Sequence, residues 1–325
     1  MGEDHNKTDS AGWFSTGDGT RLFLRRWVSR QGSSGKPRAA LHIVHGMAEH
    51  SLRYERLARY LAAAGIEVWA ADQRGHGKTA DLTVNAPGKG GIAGHCGDRD
   101  GFSLVTGDVG IINGEIQKLY PGLPLFLMGH SWGSFIVQNY IERYSTADLA
   151  GCVLSGTRGP DGFKVQAGKV LMGLLALFRG QRNGSSLARA VADGPYNKPF
   201  RPNRSSFDWL SRDEQEVDAY ANDPCSGKLC SAGFYRDMLR GLYHIHRKEV
   251  MKNISVDLPV YIFSGSADPV GDMGTSPAAL VNMYRTMGLR DLEFVLYPDA
   301  RHETLNETNR EEVMENLKVW ILRHC

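Results

Sequence analysis

The sequence predicts an α/β fold, a mostly parallel central sheet with helices on both faces and one long insertion. Three observations lead there. Short apolar runs alternate with segments of helical spacing from Ala39 to Gly156, the rhythm breaks over 158–250, and it resumes at "LPVYIFSG". With 325 residues, 42% of them hydrophobic, the chain can bury a full core and still carry a cap.

"TRLFLRRWV" reads as a strand, followed by a turn over Gln31 to Pro37 and the buried run "AALHIVHG", an arrangement that suggests an opening hairpin. "SLRYERLARYLAAAG" places Leu57, Leu61 and Ala64 at helical spacing with Gly65 as the stop, and "IEVWAAD" is the next strand. A helix from about Ser103 to Leu119 ends at the Pro-Gly of "YPGLP"; "LFLM", "SWGSFIVQNYIERY" and "LAGCVLSG" then read as strand, helix and strand. After the insertion, "LPVYIFSG", "SPAALVNMYRTMG", "DLEFVLYP" and a helix over about Arg310 to Leu322 complete the sheet. The expected organisation is therefore core at 1–157, inserted cap at 158–250 and core again at 251–325.

Composition narrows the function classes. Lys+Arg 38 against Asp+Glu 36 leaves a net charge of +2 with no sustained basic run, which argues against nucleic-acid binding. Cys96, Cys152, Cys225, Cys230 and Cys325 are too scattered for a disulfide framework and suit a reducing compartment. Cys225 and Cys230 in "CSGKLC" read as loop cysteines, with a local disulfide as the alternative. The polar start "MGEDHNKTDSAG" has no apolar segment of the signal-peptide kind, so cytoplasmic residence is the expectation. No run approaches the roughly 18 apolar residues of a membrane span.

Within the insertion, "KVLMGLLALFRG" carries Leu171, Met172, Leu174, Leu175, Leu177 and Phe178, too continuous for an ordinary exposed helix. Lys164, Lys169, Arg179 and Arg182 flank it. Such a segment packs inside the cap, rests on a lipid surface, or covers an apolar substrate cleft.

The chemistry centres on Gly129-His130-Ser131-Trp132-Gly133, a G-x-S-x-G placed where strand "LFLM" gives way to a helix. At such an elbow the serine takes strained backbone angles and its hydroxyl stands at the C-terminal edge of the sheet. A serine nucleophile needs a base held in the right tautomer by a carboxylate. Asp268 follows "YIFSGSA" and His302 follows "FVLYPDAR", each just beyond a strand, giving the order Ser131, Asp268, His302. Asp272 is the near rival of Asp268. Backbone amides of Met47, in "VHGMAEH", and of Trp132 are placed to receive an oxyanion, while Gly46 permits close approach and His45 supports the loop.

No cofactor or metal is called for. "GKGGIAGHCG" lacks the order and setting of a P-loop, and "HGMAEH" is not the zinc motif H-E-x-x-H.

"IVHGMAEHSLRYERLARYLAAAGIEVWAADQRGHGKT", "GHSWGS", "GSADPV" and "ARHETLNE" together resemble the monoacylglycerol lipase and lysophospholipase group of α/β-hydrolases, also grouped with serine aminopeptidase-like hydrolases. The resemblance covers most of the chain outside the insertion. It implies an α/β-hydrolase fold with Ser131, Asp268 and His302 as triad and Met47 and Trp132 as oxyanion amides, and it makes Arg74 and His76 of "DQRGHGKT" structural. Many members carry a smaller or more flexible residue in place of Trp132, so the indole is expected to narrow the acyl pocket. Leu174, Leu175 and Phe178 are expected to bind substrate.

The activity so implied is hydrolysis of a carboxylic ester through an acyl-enzyme, with a monoacylglycerol or lysophospholipid as substrate and peripheral membrane contact through the cap. Two other readings stand beside it. An aminopeptidase-like enzyme needs cap carboxylates for a free amine, for which Asp208, Asp213, Glu214 and Glu216 are available; a non-catalytic binding protein would use the same fold without the chemistry. Oligomeric state is not expressed in the sequence.

Overall fold

The computed structural model describes residues 9–29, 36–160 and 162–325; most of the turn expected over Gln31 to Pro37 lies outside these, as do the side chains of Lys164 and Arg179. In chain order the elements are β1 (Ser10–Ser15), β2 (Arg21–Trp27), β3 (Ala39–Val44), α1 (Glu55–Ala63), β4 (Ile66–Asp72), α2 (Gly101–Leu119) and β5 (Leu125–His130). Next come α3 (Trp132–Arg143), β6 (Gly151–Ser155), α4 (Gly162–Arg179), α5 (Ser186–Ala192), α6 (Glu214–Asn222), α7 (Ala232–Ile245) and α8 (Lys248–Met251). β7 (Val260–Gly265), α9 (Thr275–Thr286), β8 (Leu292–Tyr297) and α10 (Arg310–Arg323) close the fold.

The strands form one sheet in the order β1-β2-β4-β3-β5-β6-β7-β8, parallel from β4 to β8, with β1 and β2 antiparallel at one edge. The expected hairpin is corrected here. β2 pairs with β4, Phe23 opposite Asp72, and its hairpin partner is β1, which the sequence reading passed over. β1 is an edge strand exposed at every residue but the half-buried Phe14, so no buried run announces it.

The central strands β3 to β7 are buried along their whole length, which is why they read as continuous apolar runs rather than alternating ones. On one face Leu57 and Leu61 of α1 meet Val313, Leu317 and Trp320 of α10 over Leu41, Ile43 and Val68. On the other, Ile112 and Ile116 of α2, Ile136 and Ile141 of α3 and Leu280 of α9 pack over Leu127, Leu154 and Ile262. Between β6 and β7 the chain makes the excursion α4 to α8, in which α7 packs on α2 and α3 and α4 packs on α7. Leaving the sheet at β6 and returning at β7 puts this excursion over the C-terminal strand ends, where the site lies.

One buried group is at odds with the core. Glu142, on α3, is 2% exposed, neither carboxyl oxygen has a partner among the described residues, and the Tyr284 hydroxyl beside it is likewise unpartnered. Burial alone pushes its carboxyl up to about 9. The native state then keeps a proton that the unfolded state releases near its ordinary carboxylate pKa of 4.5, so stability falls as pH rises between those two values. Glu142→Gln should remove this dependence, flattening the curve by up to about 1.4 kcal/mol per pH unit. Urea unfolding at pH 6 and pH 8.5 checks it: the variant should gain on the wild type at the higher pH, and parallel losses would refute the buried acid.

Candidate active site

Ser131 links β5 to α3 at φ 50 and ψ −122, a conformation that side-chain-bearing residues rarely hold. The motif glycines make the turn possible. A Cβ on Gly129 would stand 2.3 Å from the Gly133 carbonyl oxygen, and one on Gly133 would stand 2.0 Å from that of Val44. Neither backbone can yield, so strand, elbow and helix approach only with glycine at both positions.

Ser131, His302 and Met47 line one cavity of about 560 Å³ beneath the β6–β7 excursion. His302 Nδ1 lies 3.0 Å from both oxygens of Asp268, which also accepts from the Val270 amide at 2.8 Å. Both side chains are buried. Burial pushes the His302 imidazole down, but the Asp268 carboxylate more than offsets it and the pKa is raised; Asp268 is held below its ordinary value despite its own burial, chiefly by His302. The rival Asp272 is exposed in the turn before α9, its carbonyl accepting from the Thr275 hydroxyl at 2.8 Å.

The Met47 amide has no acceptor among the described residues, and Trp132 is the first residue of α3, where an amide has no intrahelical partner. The loop that carries Met47 is held from below. His45 Nε2 accepts from the Gln73 amide at 2.9 Å, so Nδ1 carries the proton and donates to the Gly46 carbonyl at 2.8 Å. Gln73 in turn accepts from the Trp132 indole at 2.8 Å, coupling the two oxyanion candidates through one side chain. Arg74 binds Asp108 and Asp18, and His76 packs edge-on against His45 and Phe234, as structural roles require.

Two expectations are corrected. The Trp132 indole does not narrow the cavity: it is 1% exposed, its ring centroid 5.3 Å from Phe102 and 4.8 Å from Phe234. The helix that starts at the elbow turns this side chain toward α2 and α7, away from the cleft. Nor do Leu174, Leu175 and Phe178 line the cavity that holds Ser131. α4 buries Val165, Met172 and Ala176 and leaves Val170, Leu171, Leu174, Leu177 and Phe178 in solvent, Phe178 at 79% exposure.

The cap carboxylates considered for amine binding are also elsewhere. Asp208 accepts from Ser205 and the Arg204 amide, Asp213 pairs with Arg310, Glu216 with Arg56, and Glu214 is exposed near Arg204. The carboxylates that do line the cavity are Glu49, Asp193 and Glu303. Glu49 and Glu303 share Arg53, at 2.7 and 2.6 Å, and Glu49 also accepts from the Gly46 amide and the Tyr54 hydroxyl. Sequence reasoning missed this network; the run "EHSLRYER" carried its charges, but nothing local pairs Arg53 with a residue 250 positions away.

A cleft at the C-terminal ends of a mostly parallel sheet, with a serine on a strand-to-helix elbow and a buried Asp–His pair facing the same cavity, defines an α/β-hydrolase. The family model "Serine aminopeptidase, S33" matches residues 35–309, and the chain belongs to that family. It is 30% identical to the human monoglyceride lipase over 94% of this chain and 88% of that one. It is 28% identical to the monoacylglycerol lipase of Mycolicibacterium smegmatis, covering 98% of this chain and 99% of the relative. Among solved structures, a carboxyl esterase from Bacillus coagulans in complex with glycerol superposes with a TM-score of 0.85 at 26% identity, over 98% of this chain and 99% of that one. The chain is a serine ester hydrolase.

Proposed function

We propose that the protein hydrolyses single-chain carboxylic esters, monoacylglycerols or lysophospholipids, through Ser131, His302 and Asp268. One observation carries the reading: Ser131 sits on a strained elbow in the same cavity as His302, whose Nδ1 is held by Asp268. With Nδ1 engaged, Nε2 is the nitrogen that takes the Ser131 proton as Oγ attacks the acyl carbonyl. The Met47 and Trp132 amides receive the oxyanion; the imidazolium, steadied by Asp268, then protonates the leaving alcohol oxygen as its bond to the acyl carbon breaks. Water repeats the sequence on the acyl-enzyme: His302 takes its proton, the acid leaves, and Ser131 regains its hydrogen. We take residues 158–250 as the cap of this enzyme.

A panel of p-nitrophenyl esters from acetyl to palmitoyl, 1- and 2-monoacylglycerols, lysophosphatidylcholine and aminoacyl-p-nitroanilides tests the reading. Esters should be cleaved and anilides not; anilide cleavage without ester cleavage would move the enzyme to the peptidase branch. Because His302 must be neutral to act and its pKa is raised, kcat/KM should fall on the acid side with an apparent pKa above 6.5. A limb below that value would contradict the Asp268 coupling.

The exposed apolar face of α4 supports lipid contact. No described helix is long and apolar enough to cross a membrane, but Leu174, Leu177 and Phe178 form one stripe at i, i+3 and i+4. Wild type should pellet with phosphatidylcholine/phosphatidylglycerol vesicles, and Leu177→Asp with Phe178→Asp should stay in the supernatant while cleaving soluble acetyl esters normally. Equal pelleting of both proteins would remove α4 as the contact.

A further inference from the structure

The cavity wall supplied by the β6–β7 excursion is more polar than its apolar helix led one to expect. Ser186 and Arg189 of α5 and Asp193 just after it face the cleft, with Asn197 and Lys228 nearby. Arg189 is half-buried, its Cζ 5.2 Å over the Phe207 ring, and its Nη1 makes one long hydrogen bond of 3.3 Å to the Gly227 carbonyl. A guanidinium has five N–H donors, and no carboxylate lies within ion-pair distance of Arg189 among the described residues. Asp193, which also lines the cavity, accepts from the Tyr235 hydroxyl at 3.0 Å and lies near enough to Arg189 to be pulled down by it, but burial outweighs both and pushes its carboxyl up to about 6.

Gly227 brings a second cation alongside. Its neighbour Lys228 is exposed at the cavity rim and likewise has no ion-pair partner among the described residues. The same loop is fastened to the oxyanion loop: the Gly227 amide donates to the Ala48 carbonyl at 2.8 Å, and the Tyr220 hydroxyl donates to it at 3.0 Å. Ala48 follows Met47 directly, so whatever Arg189 and Lys228 hold is registered against the reacting carbonyl. The negative groups deeper in the cavity, Glu49 and Glu303, are already committed to Arg53.

We infer that Arg189 and Lys228 form an anion subsite at the cleft rim, so that the preferred ester carries a phosphate or carboxylate on its non-reacting part. This rests on the function proposed above and narrows it from neutral monoacylglycerols to negatively charged single-chain esters. Paired cations, one stacked on an aromatic ring and both beside a fixed loop, recognise such a group by charge-assisted hydrogen bonds.

Two matched pairs separate the sources of charge. 1-Oleoylglycerol against 1-oleoylglycerol-3-phosphate places the anion on the alcohol, and p-nitrophenyl butyrate against p-nitrophenyl hemisuccinate places it on the acyl group. In at least one pair the charged ester should show the higher kcat/KM at low salt, with the preference shrinking as salt rises. Arg189→Gln and Lys228→Gln should each lower that charged-to-neutral ratio about tenfold, chiefly through KM, whereas Lys252→Gln on the far surface should leave it unchanged. Neutral esters preferred in both pairs, or ratios unmoved by both variants, would overturn the subsite while leaving the hydrolase intact. Binding of both pairs to Ser131→Ala, followed by the fluorescence of Trp209 in the cleft wall, reads the anion preference even if no ester is cleaved; weaker binding of the charged member in both pairs would overturn the subsite independently of turnover.

Discussion

Ser131→Ala should lower ester turnover by roughly 10⁴- to 10⁶-fold, the range in which loss of a serine nucleophile falls when binding and the oxyanion amides remain. The fold should persist. The Ser131 amide donates to the Ser155 carbonyl at 2.9 Å and its carbonyl accepts from the Ser134 hydroxyl at 2.6 Å, both independent of the lost oxygen. Alanine inherits the positive φ with its strain, of order 1–3 kcal/mol. Ser131→Gly relieves it. The glycine variant should therefore unfold at higher urea concentration than the alanine variant while being equally inactive, a combination that separates strain held for catalysis from chemistry. Wild-type rates in either protein would eliminate Ser131 as the nucleophile; equal stability of the two would mean that the elbow stores no strain.

Arg53→Met should cost about 3–5 kcal/mol at neutral pH, because it leaves two carboxylates buried without their shared cation. Arg53 reaches Glu303 with both Nη1 and Nη2, at 2.6 and 2.7 Å, and Glu49 with Nη1 at 2.7 Å, and its Cζ stacks 4.7 Å over Tyr220. Arg53 holds both carboxyls below their ordinary range against the burial that pushes them up. For groups depressed in this way the contribution to stability is present above the unfolded carboxylate pKa and is lost as pH falls through the folded one. The gap between wild type and Arg53→Met should thus be widest at pH 7 and shrink as pH falls below about 4.5 toward the depressed folded values, about 2 for Glu49. Combining Arg53→Met with Glu49→Gln and Glu303→Gln should recover much of the loss. A gap independent of pH would show that packing on Tyr220, not charge, accounts for the effect. Activity should suffer too, since Glu49 also fixes the Gly46 amide next to Met47.

What was legible in the sequence is what local chemistry dictates. Continuous apolar runs marked β3 to β7 because strands buried on both faces cannot alternate, and glycine and proline marked where α1 and α2 stop. The Ser131 elbow was legible because only a G-x-S-x-G at a strand-to-helix change permits the contacts at Gly129 and Gly133. Asp268 and His302 stood out by following strands in the expected order, and the structure brings them to 3.0 Å.

What escaped it depends on partners distant in the chain. Alternation tells which face of a strand is buried but not which strand lies beside it, so the sequence suggests a hairpin of β2 with β3 although β2 pairs with β4. The direction of Trp132 follows from how α3 leaves the elbow and meets α2 and α7, and no pattern within α3 encodes that. The apolar residues of α4 announced a helix needing cover, yet only its packing on α7 decided that Val165, Met172 and Ala176 are the covered face and that Phe178 is not in the cleft. By itself, then, the sequence determined the buried strands β3 to β7, the elbow and the chain order of the candidate site residues, because each rests on neighbours a few residues away. The composition of the cleft wall, from Arg53 between Glu49 and Glu303 to Arg189 beside Lys228, was decided by tertiary structure, because these groups come from segments that meet only when the excursion folds over the sheet.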